Sequence, residues 1–166
     1  SGGRSGRDYA TLLQAVAQTG LPVVINARLF NLRGLSIPTN VRVNDLLPSE
    51  QYRNLNWQSR FVVVPLRKVD EAVGLTAILQ AMAAGKAVIC TDLPGPAEYV
   101  RHGETGLLVP EGDVTAMRAA LVDLWVHPER CRSMGQRARS IYAEQFTFTA
   151  FSQRVVSYLH EIGGVV

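Results

Sequence analysis

Blocks of like charge, metal-ligand spacings and long apolar runs are all missing from this 166-residue chain. Its 17 Lys and Arg against 14 Asp and Glu leave a formal net charge of +3, and the arginines are scattered, which speaks against a nucleic-acid groove. A phosphorylated small molecule or an anionic membrane surface suits that balance better. The two cysteines, Cys90 and Cys131, stand at no metal-ligand spacing and read as reduced structural thiols, which fits a cytoplasmic protein. His102, His127 and His160 have no carboxylate or cysteine at a spacing that would mark them as catalytic or metal-binding. No apolar run approaches the roughly 18 residues of a membrane span, and no signal-peptide pattern is seen. The first residue is Ser1, not Met, so the natural start is expected to lie further upstream or to have been removed.

What is present is a composition, 47% hydrophobic and 19% charged, that suits one globular domain with a real core. The stretch from Asp70 to Asp92 is its most informative part. An acidic pair and Gly74 lead into an apolar-periodic run from Leu75 to Ala84, which breaks at Gly85-Lys86 and gives way to the β-branched run Ala87 to Thr91. This is a loop, a helix, a turn and a strand, with Leu75, Ile78, Leu79, Met82 and Ala83 as the helix's apolar stripe. The first helical turn has backbone N–H groups without internal partners, and Gly74 allows a ligand close to them; such an end favours an anion, typically a phosphate.

Ser1 to Arg7 is glycine-rich and basic and feeds a helix from about Asp8 to Thr19, capped by Asp8, with Leu12, Leu13 and Val16 buried and Gly20 at its end. A glycine-rich loop entering a helix normally follows a strand, which is expected to precede Ser1 or to come from another segment. The segment reads either as a phosphate loop or as a terminal tail. Val23 to Ala27, Val41 to Val43, Phe61 to Val64, Ala87 to Thr91 and Leu107 to Val109 read as short strands, with Val23 to Ala27 and Phe61 to Val64 expected to be fully buried. Helices are expected at about Pro48 to Asn56, after Pro94, from Asp113 to Val126 and over roughly Glu129 to Gln145. A last amphipathic helix, opening at Thr147 or Thr149, carries Phe151, Val155, Tyr158 and Leu159. This alternation predicts an α/β fold, a Rossmann-like parallel sheet with helices on both faces. Aromatic and Met positions in the helices are expected in the core. Lys86 is expected to interact with a helix C-terminus, and Glu98 to cap the short helix after Pro94, in a structural role or beside a bound ligand.

The run GLTAILQAMAAGKAVICTDLPGPAEYVRHGETGLLVPEGD, Gly74 to Asp113, resembles the C-terminal donor-binding domain of retaining GT-B glycosyltransferases, the group that includes sucrose and glycogen synthases. The resemblance extends over SGGRSGRDYATLLQAV and the closing helices, nearly the whole chain. It implies that residues 1–166 are one half of a GT-B fold, truncated at its N-terminus and lacking the family's first strand. The other half, an N-terminal acceptor-binding domain of the same protein, would be absent. The partners implied are a nucleotide-sugar donor and an unidentified sugar or lipid acceptor, with no nucleic acid. No cofactor and no metal are implied, and no Asp-x-Asp cluster is present to hold a metal. Localisation would be cytoplasmic, peripheral to a membrane at most.

Carried over residue by residue, the family's phosphate-binding basic pair falls on Arg4 and Arg7, with Gly3 in the same loop. Breaking a sugar–phosphate bond loads charge onto the leaving diphosphate; a preorganised donor aimed at it is worth about 3 kcal/mol, and arginine's fork holds two phosphate oxygens. Gly74, Leu75 and Thr76 would cradle the same diphosphate, and Asn44 lies where the family receives the nucleotide base. The family's two glutamates, with seven residues between them, are altered here. The second, which meets ribose, is Gln80, an acceptor without charge. The first, which meets the sugar, falls on Ala72, with Glu71 one place out of register and open to two readings, sugar ligand or solvated loop carboxylate. The resemblance thus implies hexose transfer with retention. Alternatives are a nucleotide-sugar-binding module that has lost catalysis and, ranked last for want of acid–base groups, an epimerase.

Overall fold

The computed structural model describes residues 6–69 and 73–163. Asp8 opens the first helix, α1 (Tyr9–Val16): its Oδ1 accepts from the Thr11 N–H at 3.1 Å and its Oδ2 from the Thr11 hydroxyl at 2.6 Å. Leu12, Leu13, Ala15 and Val16 are buried along its inner face. Two short strands, β1 (Val23–Asn26) and β2 (Val41–Asn44), follow, with a 3-10 turn at Leu29–Leu32 between them. They pair in parallel, Val23 opposite Val41 and Asn26 opposite Asn44.

Helix α2 (Ser49–Gln58) crosses to β3 (Phe61–Val64), which ends at Pro65. The nine-residue α3 (Leu75–Ala83) then leads to β4 (Ala87–Thr91), the short α4 (Pro94–Ala97) and β5 (Gly106–Val109). Strands β3, β4 and β5 form a second parallel sheet with β4 in the middle, and every β4 residue is buried. Asp113 caps α5 (Val114–Val126) by accepting from the Ala116 N–H at 2.8 Å; α6 (Pro128–Gln145) and α7 (Phe148–Gly163) close the chain. The expected α/β architecture is present, as two parallel sheets with helices on both faces.

Two apolar clusters lie against the strands. One joins α1, β1, β4 and α5 through Leu12, Val16, Ile25, Ile89, Met117, Leu121 and Leu124. The other joins α3 and the opposite face of β3 and β4 through Val64, Ile78, Met82, Val88 and Cys90. Helix α6 gives Cys131 and Met134 to the first and Ala138 to the second. It approaches closely at Gly135, where a β-carbon would overlap the Gly85 carbonyl oxygen and crowd the Ala87 nitrogen.

Three expectations shift. The buried stripe of α3 is Ala77, Ile78, Ala81 and Met82; Leu75, Leu79 and Ala83 are only half-buried, because sheet and α6 meet the helix over a face turned by about one residue. Strands β1 and β3 are not buried throughout, for Val24 remains 43% exposed and Phe61, Val62 and Val63 are only half-buried. The methionines are core residues as expected, but the aromatics of α7 are not. Phe148, Phe151 and Tyr158 are exposed beside Val155, Val156, Leu159 and Ile162.

Candidate functional site

The short run from Gly6 to Asp8 is pinned to the carboxyl end of β3. Gly6 O accepts from the Arg67 N–H at 2.7 Å, Arg7 bridges to Leu66 in antiparallel fashion, and the Asp8 N–H donates to Pro65 O at 3.0 Å. Asp8 is buried and also meets Arg67, Nη2 to Oδ1 at 3.4 Å. This double attachment fixes where Arg7 emerges, and its side chain turns toward the start of α3.

That start is Gly74, in the left-handed conformation at φ +85°, with no side chain capping the helix among the described residues. A β-carbon at Gly74 would stand 2.8 Å from Arg7 Nη1 and 3.0 Å from both Leu66 methyls. The arginine fork therefore lies against the bare glycine, at the mouth of a helix whose first N–H groups lack internal partners; the Gly74 carbonyl is first used by Ile78. Among the described residues no carboxylate pairs with Arg7. A guanidinium and a helix N-terminus at one place make a pole of positive potential suited to a phosphate group.

The pole stands at the rim of a cleft of about 740 Å³ between β1 and β3. Arg7, Thr76 and Gln80 line it, with Arg28, Asn31 and Leu47 from the loops after β1 and β2. These groups gather at the carboxyl ends of parallel strands, where open α/β sheets place their ligands. Tyr9 lies beneath; burial pushes its phenol up, the Arg7 charge pulls it back, and Tyr52 adds to the rise. Cys90 is pushed up to about 12 by burial, against a smaller opposing pull from Arg7, so it is a thiol and no nucleophile. Cys131 is likewise raised, and both are free and buried.

Of the residues singled out in the sequence, Arg7, Gly74, Thr76 and Gln80 come together. Leu75 is adjacent but half-buried and does not line the cleft. Asn44 ends β2, and its carbonyl accepts from the Ala27 N–H at 3.1 Å; the following Leu46 and Leu47 reach the cleft instead. Gly3, Arg4 and Glu71 lie outside the described residues. Glu98 follows α4 as its C-terminal cap residue and does not start that helix. Lys86 meets the end of α3 through its backbone, its N–H donating to Ala81 O at 3.0 Å. His102 Nδ1 accepts from the Leu108 N–H, and His127 Nδ1 lies 3.0 Å from Asp123 Oδ1; both serve turns. Among the described residues no group of three His, Cys, Asp or Glu is placed to hold a metal, and no helix is long and apolar enough to cross a membrane.

Sequence reasoning missed Arg28, Asn31, Tyr52 and Asn56. The first two lie in the loop and 3-10 turn after β1, a position that the strand-end rule could have flagged. Asn56 is 4% exposed, lines the cleft, and its Nδ2 has no partner among the described residues. Its orphan donor leaves no trace in sequence.

The family described as Glycosyl transferases group 1 matches residues 20–141. The chain is 32% identical over 143 residues to D-rhamnosyltransferase WbpZ of Pseudomonas aeruginosa, covering 82% of this chain and 37% of that protein. Among solved structures it resembles sucrose-phosphate synthase from Thermosynechococcus elongatus, with TM-score 0.76 and 24% identity over 97% of this chain and 43% of that one. It also resembles Anabaena HepE in complex with UDP-glucose, with TM-score 0.75 and 19% identity over 94% of this chain and 46% of that one. The chain thus spans less than half the length of each. The profile match over most of its length, with the rhamnosyltransferase identity, establishes that this chain belongs to the group 1 glycosyl transferases.

Proposed function

We propose that this chain is the donor half of a retaining, GT-B-type hexosyltransferase. It holds a nucleotide diphosphate sugar while a second domain of the same protein presents the acceptor. The observation that carries the reading is the Arg7 guanidinium against Gly74 at the uncapped start of α3. When the sugar–phosphate bond breaks, negative charge grows on the diphosphate. The guanidinium and the first N–H groups of α3 are already oriented toward that place, so they stabilise the leaving group with little reorganisation. Thr76, exposed at the same turn, adds a hydroxyl, and Gln80, one helical turn on, offers its amide to the ribose hydroxyls. Arg4 and Gly3 would extend the phosphate loop, Glu71 would orient the sugar, and the chain after Asn44 would receive the base. HepE's complex with UDP-glucose supports a nucleotide-sugar donor for this fold.

Release of nucleotide diphosphate from UDP-, GDP- and ADP-sugars tests the reading, measured for residues 1–166 and for the longer polypeptide containing them. Turnover is expected in the longer protein and little or none in residues 1–166. Vigorous transfer by residues 1–166 alone would refute the division of labour. The uncharged Gln80 favours a second reading, a module that binds nucleotide sugar without transfer; donor binding by the longer protein with no release from any donor would decide for it.

A further inference from the structure

We propose that Thr91, the last residue of β4, is a positioning residue for the diphosphate pole: its hydroxyl fixes Leu66, and Leu66 sets Arg7 and Gly74 against each other. The inference rests on the donor-site reading above and extends it to a residue that does not line the cleft. Leu66 meets both parts of the pole. Its backbone pairs with Arg7 in the antiparallel bridge, and both its methyl groups lie 3.0 Å from where a β-carbon on Gly74 would stand. A shift of the Leu66 backbone would therefore move the guanidinium away from the start of α3, or press on Gly74 itself.

Strand β3 cannot hold Leu66 by its own ladder. The strand ends at Val64, opposite Cys90, and Pro65 has no N–H with which to extend it. The bridge to Arg7 does not use the Leu66 amide either. Its two hydrogen bonds come from the flanking residues, Asp8 N–H to Pro65 O at 3.0 Å and Arg67 N–H to Gly6 O at 2.7 Å. A residue between two such bonds turns its own N–H away from the paired run. The Leu66 N–H thus points toward β4, and Leu66 has no exposed surface, so water offers it no partner. The Thr91 hydroxyl is the acceptor, at 2.7 Å, and Thr91 is itself 2% exposed. It is carried by the middle strand of its sheet, where it pairs with Val109 of β5.

The Lys68 amide, two residues on, is held differently. It donates to Glu111 Oε1 at 2.8 Å, but both residues are exposed, so water can replace that carboxylate. The Leu66 amide has no such substitute. A hydroxyl on a buried strand, which leaves no mark on the cleft surface, thereby sets the geometry of the pole.

Calorimetric titration of this chain with inorganic pyrophosphate tests the proposal. The variants are Thr91→Val, which keeps the branched shape and loses the acceptor, Thr91→Ser, which keeps the hydroxyl, and Thr91→Val combined with Arg7→Ala. At temperatures where they are folded, Thr91→Val is expected to bind about fivefold to tenfold more weakly than the parent, and Thr91→Ser within about twofold of it. In the Arg7→Ala background Thr91→Val should cost about twofold at most, because the group it positions is already gone; a residue serving stability alone would show the same loss in both backgrounds. Parent affinity in folded Thr91→Val, equal losses in the two backgrounds, or Thr91→Ser as weak as Thr91→Val would each overturn the proposal. A folded parent that binds neither pyrophosphate nor any nucleoside diphosphate would overturn the donor-site reading, and the proposal with it. Amide hydrogen exchange in the parent needs no variant: Leu66 should exchange at least about a hundredfold more slowly than Lys68. Equal, fast exchange at the two amides would overturn the proposal as well.

Discussion

Arg7 rests on Gly74: a guanidinium nitrogen lies 2.8 Å from the place where any other residue at position 74 would carry its β-carbon. Two segments far apart in sequence thereby build one cationic pole. Its parts are the pinned strand-like run 6–8, the positive φ of Gly74 and the uncapped start of α3.

Gly74→Ala disturbs both partners. The left-handed backbone costs an alanine roughly 1–2 kcal/mol, and the methyl displaces Arg7 or Leu66. Urea unfolding should show a loss of at least that size, and diphosphate affinity should fall with it. Arg7→Ala should separate the two effects, with affinity reduced while the unfolding midpoint moves little.

Gln80 is half-buried at the cleft, and its replacement by alanine removes a neutral hydrogen-bonding group worth about 1 kcal/mol. Nucleoside diphosphate should bind about fivefold more weakly to Gln80→Ala. Inorganic pyrophosphate, which has no ribose, should bind equally to both proteins, and competition titrations measure the difference.

Gly135→Ala tests packing away from the site. The added methyl overlaps the Gly85 carbonyl at the α6 crossing, and such overpacking typically costs about 1–3 kcal/mol. The unfolding free energy from denaturant titration should drop by that amount, with nucleotide affinity unchanged at temperatures where the variant is folded.

Alkaline pH should destabilise the fold through its buried acids. Unfolded, the Cys90 thiol loses its proton near its ordinary value of 9.0; folded, it keeps it to about 12. Between those values the native state binds more protons than the unfolded state, so stability falls as pH rises through the window and is constant below it. Burial raises Cys131 and Tyr9 in the same direction. The full window for Cys90 corresponds to about 4 kcal/mol. Unfolding free energies measured between about pH 8 and pH 11 should decline, less steeply in Cys90→Ala.

Local signals carried much of the fold. Strands β3 and β4 and helix α5 have the limits that Pro65, the Gly85-Lys86 turn, Asp113 and His127-Pro128 imply, because those residues act on their own backbone. The side of α3 that is buried was read one residue off, since it depends on where the sheet and α6 lie. The seven exposed apolar residues of α7 show the same limit: periodicity tells which residues share a face, not what the face meets. Within the site, Gly74, Thr76 and Gln80 lie within two turns of one helix start and were legible as a unit. The Arg7–Gly74 contact depends on the attachment of residues 6–8 to β3, which no local pattern encodes.

The most direct test of the account is calorimetric titration of the chain with UDP, GDP and ADP, beside Arg7→Ala and inorganic phosphate. One diphosphate is expected to bind, and the arginine substitution to weaken it by about tenfold to a hundredfold, the worth of a charged hydrogen-bond donor. Equal affinity in the parent chain and in Arg7→Ala, or no binding of any diphosphate to folded protein, would contradict the assignment of this pole as the donor site.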